Sequence, residues 1–231
     1  MSKIRHVLLD IDDTLFDFKR SEAVALSATL TELGIEPTDG TLSLYSKINR
    51  SQWEALERGE VTREVLLLRR YEILFKTLGV DIEPRRAQSI YERRLSGTYF
   101  FLPGAEKLLS DLYGKYEIYL ASNGTAIVQD GRISLSGIGN FATDIFISEK
   151  LGHNKPSAEF FDACFSKIKD FDKDAAIIVG DSPTSDILGG INAGIKTCLY
   201  NPRGTSARED IPADFEIKAL GELIPLLDSI Q

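Results

Sequence analysis

The chain has 231 residues, 43% hydrophobic and 27% charged, the composition of an ordinary globular protein of one large domain or a domain with an insertion. Its formal net charge of −8 disfavours nonspecific nucleic-acid binding by the whole surface, though a local positive site for a small anion stays open. Two cysteines without metal-ligand spacing, an N-terminus lacking a signal-peptide pattern and no apolar window long enough for a bilayer predict a reduced, cytoplasmic protein. In chain order, Val7–Phe16 reads VLLDIDDTLF, an apolar run that ends in Asp10. It predicts a buried parallel strand that delivers Asp10 to its C-terminal end. From about Ser21 to Ser96 the pattern is helical throughout. Helices are expected over Ser21–Leu33, Thr41–Arg58, Thr62–Leu78 and Pro84–Leu95, three of them stopped by Gly34, Gly59 and Gly79. The alternating strand–helix signal then resumes. It gives helix Ala105–Leu112, strand Ile118–Ala121, helix Ala126–Ser136, strand Ile145–Ser148 and helix Ser157–Ile168. Strand Ala175–Val179, helix Ser185–Ala193, strand Lys196–Tyr200, a short edge strand Phe215–Ile217 and a last helix follow. Strands alternating with helices imply an α/β fold with a parallel sheet and right-handed crossovers.

Polar groups recur just after the apolar strands: Asp10 and Asp12, then Ser122, then Asp181, with Lys155 just before a helix. In a parallel sheet those strand ends share one edge, so the groups can converge. Asp10 and Asp12 are close enough to repel, and a divalent cation such as Mg2+, which suits hard oxygen ligands, relieves the repulsion. The inventory suits phosphoryl transfer. A carboxylate can attack phosphorus, a metal and a lysine can neutralise phosphoryl oxygens, and a hydroxyl with turn amides can hold another oxygen. Taken singly, each residue has a plainer reading: a helix cap for Ser122, a solvated lysine, a dipole-favoured acid at Asp186.

Taken in order, Asp10-Ile11-Asp12-Asp13-Thr14, Ser122, Lys155 and Gly180-Asp181 with Asp186 five residues on resemble the haloacid dehalogenase-like hydrolase superfamily over nearly the whole chain. The resemblance implies a Rossmann-like core, residues 1–17 and 98–231, with a helical C1 cap, 18–97, inserted after the first strand. It implies that Asp10 is a nucleophile forming an aspartyl-phosphate and Asp12 the general acid and base. It further implies Mg2+ held by the Asp10 carboxylate, the Asp12 backbone carbonyl and Asp181, with Asp186 beside the metal waters or Lys155. Ser122, the Asn123 amide and Lys155 fall in the phosphate-binding set, together with Thr14 as a positioning residue. A second aspartate at Asp12 favours phosphatases and phosphomutases over dehalogenases, whose leaving group needs no proton.

Asn49–Thr62 and Gly180–Gly194 look like the pyrimidine 5′-nucleotidase subgroup, which implies a small phosphorylated metabolite such as a nucleoside monophosphate as partner. The resemblance gives no role with nucleic-acid polymers or membranes and leaves a monomer or homodimer open. Asn49, Arg50 and Trp53 are the candidate specificity residues in the cap, Trp53 by stacking on a base. The alternatives are a sugar-phosphate or phosphoglycolate phosphatase, a phosphomutase, and a non-catalytic binding protein on the same scaffold.

Overall fold

The computed structural model describes residues 3–230. Among them, β1 (His6–Leu9), β2 (Glu117–Ser122), β3 (Asp144–Ile147), β4 (Ala176–Gly180), β5 (Lys196–Tyr200) and β6 (Phe215–Ile217) form one sheet. Its order is β3-β2-β1-β4-β5-β6, with every neighbouring pair parallel. β1 and β4 are buried along their whole length and almost purely aliphatic, as strands covered on both faces must be. Beyond β1 the chain builds outward through β2 and β3, then returns to lay β4, β5 and β6 on the other side. The order therefore reverses at β1, and the crevice at the C-terminal ends of β1 and β4 is where such sheets bind ligands.

Ten α-helices are described: α1 (Phe18–Glu32), α2 (Asp39–Glu57), α3 (Arg63–Leu78), α4 (Pro84–Ser96), α5 (Ala105–Leu112), α6 (Ala126–Ser136), α7 (Ser148–Leu151), α8 (Ala158–Phe165), α9 (Leu188–Ala193) and α10 (Leu223–Ser229). One sheet face buries Val7, Leu9, Val179 and Leu120 against α5 and α10, and the other buries Leu8, Ile178 and Tyr119 against Phe160 and Phe161 of α8. Helices α1–α4 have their own core of Leu26, Leu30, Tyr45, Tyr71, Leu74 and Tyr91, which Val128 of α6 joins. The chain enters and leaves these four helices along paired segments. Asp17 N–H donates to the Phe100 carbonyl at 2.8 Å and Leu102 N–H to the Leu15 carbonyl at 2.9 Å.

Among the differences from the periodicity, α7 is an added turn of helix that takes Ser148 from the expected strand, and three others have a local cause. α1 starts at Phe18, earlier than Ser21, because the Asp17 carboxylate accepts the Arg20 N–H at 2.9 Å and caps the helix there. α8 stops at Phe165, before Ile168, as Lys167 and Ile168 N–H turn to carbonyls three residues back and tighten the chain out of α geometry. The expected helix Ser185–Ala193 is two pieces, a π-helical turn Pro183–Ile187 and then α9. In that turn the Ser182 carbonyl accepts the N–H of both Asp186 and Ile187, at 2.9 and 3.2 Å. The wider turn swings the Asp186 carboxylate back over Gly180, where a Cβ would overlap it.

Candidate active site

Asp10 follows the last paired residue of β1, its N–H still donating to the Val179 carbonyl at 2.9 Å. The next residues make one tight turn. Leu15 and Phe16 N–H return to the Ile11 carbonyl at 2.9 and 2.8 Å, and Asp13 takes a left-handed φ of 60°, a conformation that Asp tolerates better than most residues. The turn leaves Asp10 and Asp12 on the lining of one cavity of about 180 Å³. Ser122 and Asn123 from the end of β2, Lys155 before α8, Asp181 after β4 and Asp186 share that lining.

Lys155 is the centre of charge. Its ammonium donates to Asp10 Oδ1, Asp186 Oδ1 and the Ala121 carbonyl, each at 2.7 Å, so all three N–H donors are used. Burial alone would lower its pKa, but Asp10 and then Asp186 outweigh burial and raise it. Burial pushes the Asp10 carboxyl up to about 7, with Lys155 opposing and Asp186 and Asp12 adding repulsion. Burial, then the charges of Asp10 and Asp186, likewise raise Asp181. Asp10, Asp181 and Asp186 can each place an oxygen within 4.8 Å of the others. Three crowded carboxylates against one ammonium are short of positive charge, and an all-oxygen donor set fits a hard divalent cation such as Mg2+. The Asp12 carboxylate lies outside this cluster.

Replacing Lys155 by Met is expected to destabilise the protein by about 3–5 kcal/mol, because Asp10 and Asp186 lose their counter-charge while staying buried. The stabilisation from a raised lysine is complete below its unfolded pKa of about 10.4 and is lost only as pH rises through the folded value, so the deficit persists at neutral pH. A urea midpoint at pH 7.5 measures it. An unchanged midpoint refutes the assignment of Lys155 as the structural counter-charge.

Ser122 is buried, and its hydroxyl accepts the Gly124 N–H at 3.0 Å and the Gln129 amide at 2.7 Å. Both lone pairs are then used, which leaves the O–H free to donate to an anion. The Asn123 side chain accepts the Lys155 N–H and donates to the Lys155 carbonyl, both at 2.9 Å, so it clamps the loop that carries the lysine. Thr14, the expected positioning residue, lies off the cavity lining. It is fully buried, and its hydroxyl accepts the Asp181 N–H at 3.1 Å, a strut between the loops after β1 and β4.

The specificity candidates on α2 separate. Trp53 lines the cavity, with its indole N–H on Asn49 Oδ1 at 3.1 Å and the Arg63 guanidinium 5.6 Å above the ring. Asn49 is not in the lining. It is buried inside the four-helix layer, where it donates to Glu22 at 2.7 Å and accepts from Arg70 at 2.7 Å. Arg50 is exposed and off the lining, because it follows Asn49 on the helix and so faces water.

Four contributors escaped the sequence reading. Glu57 at the end of α2 accepts the Thr184 hydroxyl at 2.7 Å and faces the cavity. Arg63 at the start of α3 donates to the Asn123 carbonyl at 2.8 Å, to Ser148 Oγ at 2.5 Å and to Asn154. Gln129 and Arg132 of α6 both donate to the Asp12 carboxylate, Gln129 at 2.6 Å. Their i, i+3 spacing marks one helix face, but nothing local distinguishes a buried arginine from a solvated one.

Residues 4–194 match the haloacid dehalogenase-like hydrolase family. The chain belongs to that family. This hydrolase is 35% identical to the HAD-hydrolase YfnB of Bacillus subtilis over 99% of this chain and 97% of that protein. It is 33% identical to the pyrimidine 5′-nucleotidase PynA of Streptococcus pneumoniae, covering 97% and 95% of the two chains. A crystal structure of YfnB bound to magnesium superimposes with a TM-score of 0.94 at 34% identity, covering 98% of this chain and all of that one. No helix among the described residues of the hydrolase is long and apolar enough to cross a membrane.

Proposed function

We propose that the protein is a Mg2+-dependent phosphomonoesterase acting through an aspartyl-phosphate on Asp10, with pyrimidine nucleoside 5′-monophosphates as substrates and residues 18–97 as its cap. One observation carries the reading: a single cavity with two chemically opposite ends. One end holds Asp10, Lys155, Ser122 and Asp181, and the other is mostly aromatic and aliphatic, lined by Phe18, Trp53, Leu67, Tyr91, Leu95 and Val128 with Glu57, Arg70 and Glu92 among them. The polar end suits a phosphate and the apolar end a flat base. The nucleotidase activity of relatives such as PynA supports the same choice.

In this mechanism an Asp10 oxygen attacks phosphorus and the bond to the ester oxygen breaks, that oxygen taking a proton from Asp12. Water then attacks the aspartyl-phosphate, passes a proton to Asp12, and phosphate leaves as Asp10 is restored. The Ser122 hydroxyl holds a phosphoryl oxygen, and the charge of Lys155, whose three N–H groups are already placed, offsets the negative charge that builds there. When bound at Asp10 and Asp181, Mg2+ offsets the carboxylate repulsion and draws charge from the phosphoryl group.

The test is turnover with Mg2+ across pyrimidine and purine nucleoside monophosphates, sugar phosphates, phosphoglycolate and p-nitrophenyl phosphate. Efficient cleavage of a sugar phosphate alone overturns the nucleotide assignment, and no turnover of any ester overturns the phosphatase. Within the nucleotide reading, Trp53→Leu is expected to raise KM for thymidine 5′-monophosphate by about 3- to 10-fold, the worth of one stacking contact, and to leave p-nitrophenyl phosphate unchanged. Equal losses on both substrates with a lower Tm mean that Trp53 only packs the cap.

A further inference from the structure

Asp12 is held from one side. Its Oδ1 accepts from Arg132 Nη1 and its Oδ2 from Gln129 Nε2 at 2.6 Å, and both donors sit on α6. Arg132 is fully buried although its partner carboxylate is 25% exposed. Only Nη1 meets Asp12, and the buried Nη2 has no partner among the described residues, but the planar guanidinium fixes Nη1 relative to Nε. The guanidinium is itself anchored. Nε donates to the Thr98 carbonyl at 3.2 Å, in the segment that leaves the cap helices. The guanidinium carbon lies 4.9 Å from the ring centre of Phe16 and 5.8 Å from that of Phe18, in the segment that enters them. α6 packs closely on that departing segment, since a Cβ at Gly131 would come within 2.6 Å of the Ser96 carbonyl.

We propose that Arg132 is the positioning residue for Asp12. It sets where the proton-transferring carboxylate points, with the Thr98 carbonyl as its fixed anchor and Gln129 as the second hold. The inference rests on the reading of Asp12 as the general acid, which nothing in the position of Arg132 requires by itself. An arginine that only stabilises the junction also needs a counter-charge, so the two roles are separated by their effect on the leaving group and not by the contact itself.

The distinguishing readout is the leaving group. Protonation matters for the alkoxide leaving from a nucleoside monophosphate and hardly at all for p-nitrophenolate, and kcat/KM reports the step in which that bond breaks. Arg132→Met keeps the apolar stem between Phe16 and Phe18, removes the buried charge, and leaves Asp12 in contact with water. It is expected to lower kcat/KM on thymidine 5′-monophosphate by about 10- to 100-fold while p-nitrophenyl phosphate stays within about threefold. In an Asp12→Asn background the same substitution should change neither value further, since coupled residues are not additive. Arg132→Lys, which keeps the charge but loses the rigid link between the nitrogen on Asp12 and the nitrogen on Thr98, should show the same bias at smaller size, and it decides the matter if the Met variant does not fold.

Equal losses on both esters, or a full further loss in the Asp12→Asn background, overturn the inference. The two readings fail differently. If Asp12→Asn itself shows no leaving-group bias, the acid–base assignment falls and takes the inference with it. If Asp12→Asn shows the bias and both Arg132 variants do not, the inference alone falls.

Discussion

Asp10→Asn is expected to abolish turnover, by about 10⁴-fold or more, while the protein stays folded and at least as stable at pH 7.5. The two effects have one physical origin. Burial and the charges of Asp186 and Asp12 push the Asp10 carboxyl up to about 7, so at neutral pH its charge is held against its environment. Such a charge is reactive toward phosphorus and unfavourable for folding. The amide keeps the shape and removes both properties. Lys155 retains Asp186 and the Ala121 carbonyl as partners, so no buried cation is stranded. Turnover and thermal unfolding of the same preparation test the claim. Substantial activity, after wild-type contamination is excluded, removes Asp10 from the nucleophile's role, and a large fall in Tm means that its charge supports the fold.

Removal of divalent metal is the second large effect. Chelation is expected to eliminate activity and Mg2+ to restore it, with Ca2+ a poor substitute because its longer, looser coordination misplaces Asp10. Asp181→Ala should raise the Mg2+ concentration required or remove activity altogether. The metal-free protein also has a pH signature. Asp10 binds its proton more tightly when folded than when unfolded, so its contribution to stability is complete below about 4 and is lost as pH rises through about 7. Asp181, raised by burial and by the charges of Asp10 and Asp186, acts in the same direction, and burial makes Glu22 and Glu57 add to it. Burial lowers His6, which opposes them by weakening the fold as pH falls. The chelated protein should therefore melt at a higher temperature at pH 5.5 than at pH 7.5. Mg2+ needs deprotonated ligands, so its stabilisation should be larger at pH 7.5, reaching about 2.7 kcal/mol at a hundred times its Kd. Full turnover after exhaustive chelation, or a Mg2+ shift independent of pH, contradicts the metal assignment.

The strand ends were legible because burial on both faces leaves an aliphatic run with a polar residue at its stop. Val7–Leu9 before Asp10 and Ile177–Val179 before Gly180-Asp181 are such runs. The four helices α1–α4 were legible from their stops and end residues: Thr62 accepts the Val65 N–H, and Gly79 ends α3 in left-handed geometry. The π-helical turn at Pro183–Ile187 was not legible. Its cause is the fit of the Asp186 carboxylate over Gly180 and against Lys155, contacts that the helical period does not carry. Asn49 and Trp53 lie one helical turn apart and were proposed together. Trp53 reaches the cavity, whereas Asn49 is tied to Glu22 and Arg70 across the helix bundle.

The amino-acid order by itself determined the parallel α/β sheet, the helical insertion and the set of residues at the sheet's C-terminal edge. These follow from period, chain direction and the rule that parallel strands end on one side. The tertiary structure alone decided how those residues are charged and held. Lys155 meets Asp10 across 145 positions, Arg132 meets Asp12 across 120, and Thr184 meets Glu57 across 127. Partnerships at that range leave no periodic trace, because a side chain's desolvation and its ion partners are properties of the packed interior and not of its neighbours in the chain.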